Sequence, residues 1–334
     1  MPSGLPKQSQ RRAWQIGFFL LFLLAPAFNL FRFDLTETQL YVLGMKWHLG
    51  IDALMKGQAT PTQTALTLIL KGLLPVVAFI AIGLTIAWKY GRLYCGWLCP
   101  HFSIVETLNG ILRRASGKFS LWDKHPLPPT RPNGKAIPTS RLWWPVFGIG
   151  ALLFAALWAI TLLTYLLPPA QIWHNLLNGS LTANQARFIG IGTAVFTFEF
   201  LFARHLFCRF GCAVGLFQSL AWMANDKGMV VAFERQRARD CRTCHVPHGS
   251  ACDNACPMRL HPRDIKRMMF SCVQCGQCLQ ACEQSQAAVQ KPPILSWKVD
   301  ATAVAETIRQ RRSAMAQPSQ EMPPSSMAHK GEDH

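Results

Sequence analysis

The sequence predicts an all-α membrane protein of four transmembrane helices, arranged as two similar hairpins and followed by a small cysteine-rich α+β module. Half of its 334 residues are hydrophobic and only 15% are charged. Long apolar runs recur along the chain, and all twelve cysteines fall within short motifs. The apolar content excludes a chain that is disordered throughout, and the length excludes a small disulfide-stapled scaffold.

The formal charge of +17 comes from 34 basic residues against 17 acidic ones. A nucleic-acid-binding protein would gather such charge into one patch or stripe. Here the basic residues lie at the ends of the apolar runs, where they contact anionic lipid headgroups. The expected partner is therefore the lipid bilayer, and no nucleic-acid partner is expected.

Four apolar runs approach the length of about 20 residues that a helix needs to cross about 30 Å of hydrocarbon. In lipid these runs must be helical, because their backbone groups have no other hydrogen-bonding partner. The last run is the least uniform, because it contains Glu199 and Arg204. The predicted spans are residues 14–31, 64–88, 143–167 and 188–206.

The loops alternate between rich and poor in lysine and arginine, which sets the orientation. The N-terminus, the loop between spans two and three, and the segment after span four are basic. Both chain ends and the cysteine-rich module are therefore predicted to be cytoplasmic. The predicted regions are a cytoplasmic N-terminus (1–13), a transmembrane domain (14–212), an amphipathic linker (213–239), the cysteine-rich module (240–284) and a polar, largely disordered tail (285–334).

Each predicted hairpin ends in a Cys-x3-Cys pair, and the two pairs are Cys95/Cys99 and Cys208/Cys212. Cysteines four residues apart share one face of a helix, and thiolates bind copper or iron–sulfur clusters. Cysteine also serves as a small apolar residue, but here every cysteine belongs to a motif. If the hairpins pack side by side, the pairs supply four thiolates, enough for one cluster or for copper.

The remaining eight cysteines form two groups. Residues 272–282 have the spacing Cys-x2-Cys-x2-Cys-x3-Cys, which is typical of bacterial ferredoxins. Residues 241–256 keep the opening Cys-x2-Cys and the closing Cys-x3-Cys-Pro, with the middle spacing stretched to seven residues. A bacterial-ferredoxin-like module with two [4Fe–4S] clusters is predicted. In crossed ligation, the fourth cysteine of each group binds the cluster of the other group. One cluster is then held by Cys241, Cys244, Cys252 and Cys282, and the other by Cys272, Cys275, Cys278 and Cys256.

Three other interpretations of the eight cysteines were weighed. Zinc ribbons use pairs of cysteines rather than runs of four. Disulfides require an oxidising compartment, whereas the loop charges place the module in the cytoplasm. The sequence from Cys241 to His245 also matches the C-x-x-C-H motif of haem attachment, which would remove two ligands from the cluster count.

These motifs together resemble the membrane-bound polyferredoxins of the NapH/NosR/CcoG type, over about residues 14–284. The shared pattern is paired spans that end in Cys-x3-Cys, followed by a two-cluster ferredoxin segment. The resemblance implies a bacterial inner-membrane protein that transfers electrons through [4Fe–4S] clusters. Three features depart from the family pattern: Ala213 and Glu283 stand where proline is expected, and the first ferredoxin group has its stretched loop.

The resemblance leaves two functions open. A NapH-like chain moves electrons between the quinol pool, or a membrane partner, and a redox acceptor, as the electron-transfer subunit of a quinol dehydrogenase. A CcoG-like chain is an assembly factor that reduces copper for a respiratory enzyme. An ionisable residue inside the membrane marks a functional site by default. Glu199 is therefore either a proton acceptor at a quinol site or the partner of a basic residue such as Arg204.

Overall fold

The computed structural model describes residues 8–55, 57–58, 60–246 and 249–316, and the structural statements below concern these residues. In the N-terminal half, the elements are α1 (Gln8–Leu24), β1 (Phe31–Asp34), β2 (Gln39–Val42), β3 (Met45–Trp47), α2 (Ile51–Met55), α3 (Pro61–Leu68), α4 (Leu74–Tyr90), α5 (Leu93–Trp97), α6 (Pro100–Ser116) and α7 (Trp143–Thr164). In the C-terminal half, they are α8 (Pro169–Leu177), α9 (Ala183–Phe198), α10 (Ala213–Met223), β4 (Val230–Phe233), β5 (His245–Val246), β6 (Gly249–Ser250), α11 (Ala251–Ala255), α12 (Gln277–Ala287), β7 (Leu295–Lys298) and α13 (Ala301–Ala316).

Short turns of other helix types join several of these helices. The π-helical turns are Ile69–Leu73, Glu199–Ala203 and Phe207–Gly211, and the 3-10 segments are Arg235–Cys244 and Lys266–Met269. The first π-helical turn connects α3 to α4 without a break, and the second extends α9.

Three helices within the described ranges are long and apolar enough to cross a membrane: Pro61–Tyr90, Trp143–Thr164 and Ala183–Ala203. They coincide with the second, third and fourth predicted spans, so the chain is a membrane protein of mainly helical structure. The first predicted span, 14–31, differs. There α1 has 17 residues and ends at Leu24, because the chain turns at Pro26 and enters β1. The arrangement of four transmembrane helices as two hairpins stays a prediction.

Helices α6, α7 and α9 pack together. The side of α7 that carries Ala151, Ala155 and Ala159 is fully buried, and small residues allow the close approach of α9. On α6, Ile104, Leu108 and Leu112 form an apolar stripe that packs on α7. Helix α6 runs antiparallel to α7, since His101 lies beside Trp158 and Arg114 lies over Trp143.

The cysteine-rich module is framed by two antiparallel strands. Strand β4 pairs with β7, with Val230 opposite Lys298 and Phe233 opposite Leu295. The pairing joins residues that lie on either side of the predicted module, 240–284. Part of the predicted disordered tail is therefore ordered as β7 and α13, because Leu295 and Ala303 are buried. Residues 317–334 of that tail lie outside the described residues.

Candidate metal centres

Four cysteines of the module line one cavity with an empty volume of about 340 Å³. They are Cys256, Cys272, Cys275 and Cys278. Apolar side chains, including Val231, Met258 and Trp297, complete the wall. The cavity therefore offers four thiols in an apolar, largely enclosed setting.

The loop before α12 brings three of these thiols to the cavity. Gly276 caps the helix in the left-handed conformation, with a φ of 72°, which glycine adopts without strain. A Cβ at this position would lie 3.1 Å from the ring of Trp297. Cys272 and Cys275 lie on the loop, Cys278 lies in the first turn of α12, and Cys256 comes from the end of α11.

The surroundings of these cysteines fit a metal-bound sulfur. The backbone N–H of Leu260 donates to Cys256 Sγ at 3.4 Å, and such bonds stabilise a cluster thiolate. Burial raises the pKa of the Cys275 thiol to about 12, and it raises the pKa of Cys272 as well. Thiols of this kind ionise at neutral pH when a bound metal replaces the proton.

A second cavity, with an empty volume of about 260 Å³, is lined by the other four cysteines of the module. They are Cys241, Cys244, Cys252 and Cys282. The N–H of Ile294 donates to Cys282 Sγ at 3.4 Å, and burial raises the pKa of Cys252 to about 12. Cys241 and Cys244 are only half-buried, whereas in the first cavity Cys272 alone is half-buried.

The two cavities are each lined by a different four of the eight cysteines. Cys278 and Cys282 are one helical turn apart on α12, yet they line different cavities. Within the described ranges, no three His, Cys, Asp or Glu side chains converge closely enough to hold a single metal ion. That the cysteines bind two clusters stays a prediction.

The two Cys-x3-Cys pairs meet at the end of the bundle. Cys95 and Cys208 are buried in one apolar cluster, which Cys99 also contacts. Burial raises the pKa of Cys99 to about 11, and the nearby thiols of Cys95 and Cys212 contribute to the rise. The same cluster contains Cys256 and Cys275. The two Cys-x3-Cys pairs, called the membrane pairs below, therefore lie next to the first cavity of the module.

The ferredoxin-like loop docks directly on the first pair motif. A Cβ at Gly96 would lie 2.1 Å from the carbonyl oxygen of Val273, so only glycine fits there. Beside it, Trp97 Nε1 donates to the carbonyl of Gln274 at 3.0 Å. Sequence reasoning missed this contact, although the glycine in Cys-Gly-x-x-Cys, with no counterpart in the second pair, was the available signal.

Arg11 at the start of α1 joins this contact. Its side chain is 1% exposed and pairs with Glu106, and its Nη1 donates to the carbonyl of Gly96 at 2.9 Å. Glu106 also accepts from Gln277 of the module. Gln8 Nε2 donates to the carbonyl of Cys275 at 3.0 Å. The basic N-terminus is thus part of the packed site as well as an orientation signal.

Arg92 lies between the membrane pairs and the module. It is 1% exposed, and its Nη2 donates to the carbonyl of Cys208 at 2.5 Å. Burial raises the pKa of Cys95, and the charge of Arg92 opposes that rise; it acts in the same way on Cys272. No carboxylate of the described chain pairs with Arg92, whose Nε has no hydrogen-bonding partner.

Glu199 pairs with His101, a residue that sequence reasoning did not single out. Its Oε1 lies 3.3 Å from His101 Nε2, and both side chains are 12% exposed. Neither carboxylate oxygen has a hydrogen-bonding partner. The rings of Trp158, Phe200 and Phe207 lie around the imidazole. The alternative partner, Arg204, instead donates from Nη1 to Asn109 Oδ1 at 3.2 Å.

Comparison with known proteins adds a family to this geometry. Residues 72–118 and 184–227 match the model of a 4Fe–4S binding domain. The first segment carries Cys95 and Cys99, and the second carries Cys208 and Cys212. The chain is also 25% identical over 206 residues to the ferredoxin-type protein NapH of Escherichia coli (strain K12), which covers 58% of this chain and 60% of that protein. The resemblance to NapH-type membrane polyferredoxins is therefore confirmed.

The matched region covers less than two thirds of the length of this relative. No solved structure gives a significant match. The matched 4Fe–4S binding domain lies on the membrane pairs rather than on the eight-cysteine module. Iron–sulfur chemistry is therefore supported at the pair motifs, where sequence reasoning alone left cluster, copper and packing open.

Proposed function

We propose that the chain is an inner-membrane iron–sulfur protein that carries electrons from the quinol pool, or from a membrane partner, to a redox acceptor. The observation that carries this proposal is the presence of two neighbouring cavities, each lined by four cysteines. When bound, [4Fe–4S] clusters supply one-electron transfer at potentials set by their surroundings. The protein supplies thiol ligands, N–H donors to sulfur and apolar walls.

We assign one cluster to Cys256, Cys272, Cys275 and Cys278, and a second to Cys241, Cys244, Cys252 and Cys282. A third cluster is proposed at Cys95, Cys99, Cys208 and Cys212. The match of both pair motifs to a 4Fe–4S binding domain supports it. Contact between this set and the first cavity supports a continuous path for electrons.

The module and both chain ends are proposed to be cytoplasmic. The basic loops support this orientation. The contact of Gln8 with Cys275 supports a common side for the N-terminal end of α1 and the module. The predicted regions 1–13, 14–212, 213–239, 240–284 and 285–334 are kept as the proposed organisation.

Glu199 is proposed as the proton acceptor for quinol. Its carboxylate accepts no hydrogen bond in the described structure and faces His101, whose ring lies beside Phe200; such an apolar site suits a lipid-soluble ligand with hydroxyl donors. Oxidation of one quinol to quinone breaks two O–H bonds. Clusters held at the thiol-lined sites would accept the two electrons one at a time, while Glu199 takes the two protons in turn and passes them to solvent. The chain would then be the electron-transfer subunit of a quinol dehydrogenase.

Anaerobic purification with iron and labile-sulfide analysis tests the proposal. Two cubane sites give about eight irons per chain, and a third gives about twelve. The quadruple substitution of Cys95, Cys99, Cys208 and Cys212 by serine should then remove about four irons and leave the rest. A preparation that holds zinc and no labile sulfide contradicts the cluster assignment.

The second candidate function is that of an assembly factor that reduces copper. The packing of Cys95, Cys99 and Cys208 into one cluster favours it, because thiolates select Cu(I). Copper that is retained by the purified chain and lost in the quadruple serine variant supports this role. Clusters that quinol fails to reduce, in a preparation with full iron content, count against the dehydrogenase role.

A further inference from the structure

The 3-10 segment Arg235–Cys244 combines ligand candidates with a strong positive charge. It carries Cys241 and Cys244, the two half-buried cysteines of the second cavity. Over ten residues it has four arginines and a single acidic residue, Asp240. Two half-buried cysteines of the second cavity therefore lie on a strongly basic segment.

Among the described residues, only one of the four arginines pairs with a carboxylate. Arg237 pairs with Glu234 and with Asp240, at 3.2 Å in both cases. Asp240 also pairs with Lys291 at 2.6 Å, so its single negative charge is shared between two basic side chains. Arg235, Arg239 and Arg242 have no carboxylate partner in the described part of the chain, and Arg239 and Arg242 are exposed.

Membrane topology does not account for these charges. The positive-inside bias is counted within about 15–20 residues of a span. Arg235 lies well beyond that distance from Ala203, the last residue of the third apolar helix. Unpaired like charges on one short segment repel one another. A negatively charged partner would relieve this repulsion.

We propose that Arg235, Arg239 and Arg242 form the docking surface for an acidic electron-transfer protein. The surface adjoins Cys241 and Cys244, so a docked partner lies next to the second cavity. Exchange of one electron there oxidises one protein and reduces the other, with no bond made or broken. The proposal rests on the proposed function, because it assumes a cluster in the second cavity.

Charge complementarity of this kind acts mainly on the encounter rate and on specificity, and salt screens it. A transient acidic partner therefore fits the patch better than a permanent subunit, which would bury a larger apolar face. An anionic lipid surface is the competing occupant, and the experiment distinguishes the two.

The test uses the full chain in phosphatidylcholine nanodiscs under anaerobic conditions, with a fluorescently labelled acidic flavodoxin as the probe. Binding is followed by anisotropy between low and high salt. The triple variant R235Q/R239Q/R242Q should weaken binding at least tenfold and flatten the salt dependence. The matched control K124Q/R131Q/K135Q removes the same charge from exposed positions on another loop and should bind as the unaltered chain does.

Equal losses in the two variants would show a net-charge effect and overturn the proposal, as would unaltered binding in R235Q/R239Q/R242Q. Hydrogen exchange of residues 235–244 tests whether anionic lipid covers the patch instead. Protection that appears only when the nanodiscs contain phosphatidylglycerol assigns the patch to lipid and overturns the proposal. Iron and sulfide analysis of each variant is independent of binding, so failure of the cluster assignment is seen separately.

Discussion

Gly96 and Val273 touch so closely that a side chain at residue 96 would overlap the main chain of the module. The distance from a Cβ at Gly96 to the carbonyl oxygen of Val273 would be 2.1 Å, and the amide nitrogen of Cys275 would be 3.3 Å away. A backbone carbonyl cannot move aside as a flexible side chain can. The segment that contains Cys95 and Cys99 therefore packs directly against the loop before α12.

The substitution Gly96→Ala should separate the module from the bundle. Overpacking at a buried contact costs about 1–3 kcal/mol, and the expected result is a lower Tm together with faster proteolysis after α10. The control is Gly110→Ala on α6, where a Cβ meets nothing within 4 Å. There the higher helix propensity of alanine should leave stability equal or slightly increased. Equal Tm values for the two variants would refute the close contact.

Arg92→Gln should lower the reduction potentials of the centres proposed on both sides of it. Removing a buried positive charge disfavours the more negative, reduced state, because Arg92 has no carboxylate to compensate its charge. A fall of about 60 mV corresponds to a tenfold change in a one-electron equilibrium. Redox titration followed by electron paramagnetic resonance measures it.

Arg92→Lys is the matched variant, since it keeps the charge but loses the planar donor geometry. It should recover most of the potential that Arg92→Gln loses. Full iron content in both variants is required for the comparison. Potentials that fall equally in both variants would assign Arg92 a packing role only.

Glu199→Gln should slow reduction of the protein by quinol. Positioned acid–base groups contribute about 10²–10⁴-fold to rates, so a loss of at least 100-fold is expected in stopped-flow assays with a soluble quinol. Reduction by dithionite, which needs no proton acceptor, should be unchanged. The control is Glu37→Gln in the turn between β1 and β2, an exposed carboxylate. A normal rate with Glu199→Gln would exclude the carboxylate as the acceptor.

Crossed ligation makes neighbouring cysteines act on different centres. Cys282→Ser should perturb the same spectroscopic signal as Cys241→Ser, and Cys278→Ser should perturb the other signal together with Cys256→Ser. Mössbauer spectra of the four iron-57-enriched variants measure this directly. If Cys278→Ser and Cys282→Ser alter one common signal, the division of the eight cysteines between two sites is wrong.

The spacing of the cysteines predicts two sets of four thiols, because short loops around a cluster restrict which residues reach it, and the ligation itself stays a prediction. Long-range packing was not available from the sequence in the same way. The sequence alone places Arg11 in the basic N-terminus, and only the folded chain brings it against Glu106. Likewise, the pairing of Glu199 with His101 depends on how α6 lies along α7, which no local pattern encodes.

The ends of elements were least predictable. The first apolar run continues to Phe31, but α1 stops at Leu24 and the chain enters β1. The polar composition after residue 284 indicated disorder, whereas β7 and α13 are held in place by their few apolar residues, such as Leu295 and Ala303. Composition averages over a segment and so hides the contacts that order it.

The hydrogen bond from Gln8 to Cys275 links residues 267 positions apart. The loop that receives α1 is synthesised long after α1 itself. Arg11 can therefore complete its contacts only after Glu106 and then Gln277 have been synthesised. Docking of α1 on the cysteine-rich module is consequently a late step in the synthesis of this protein.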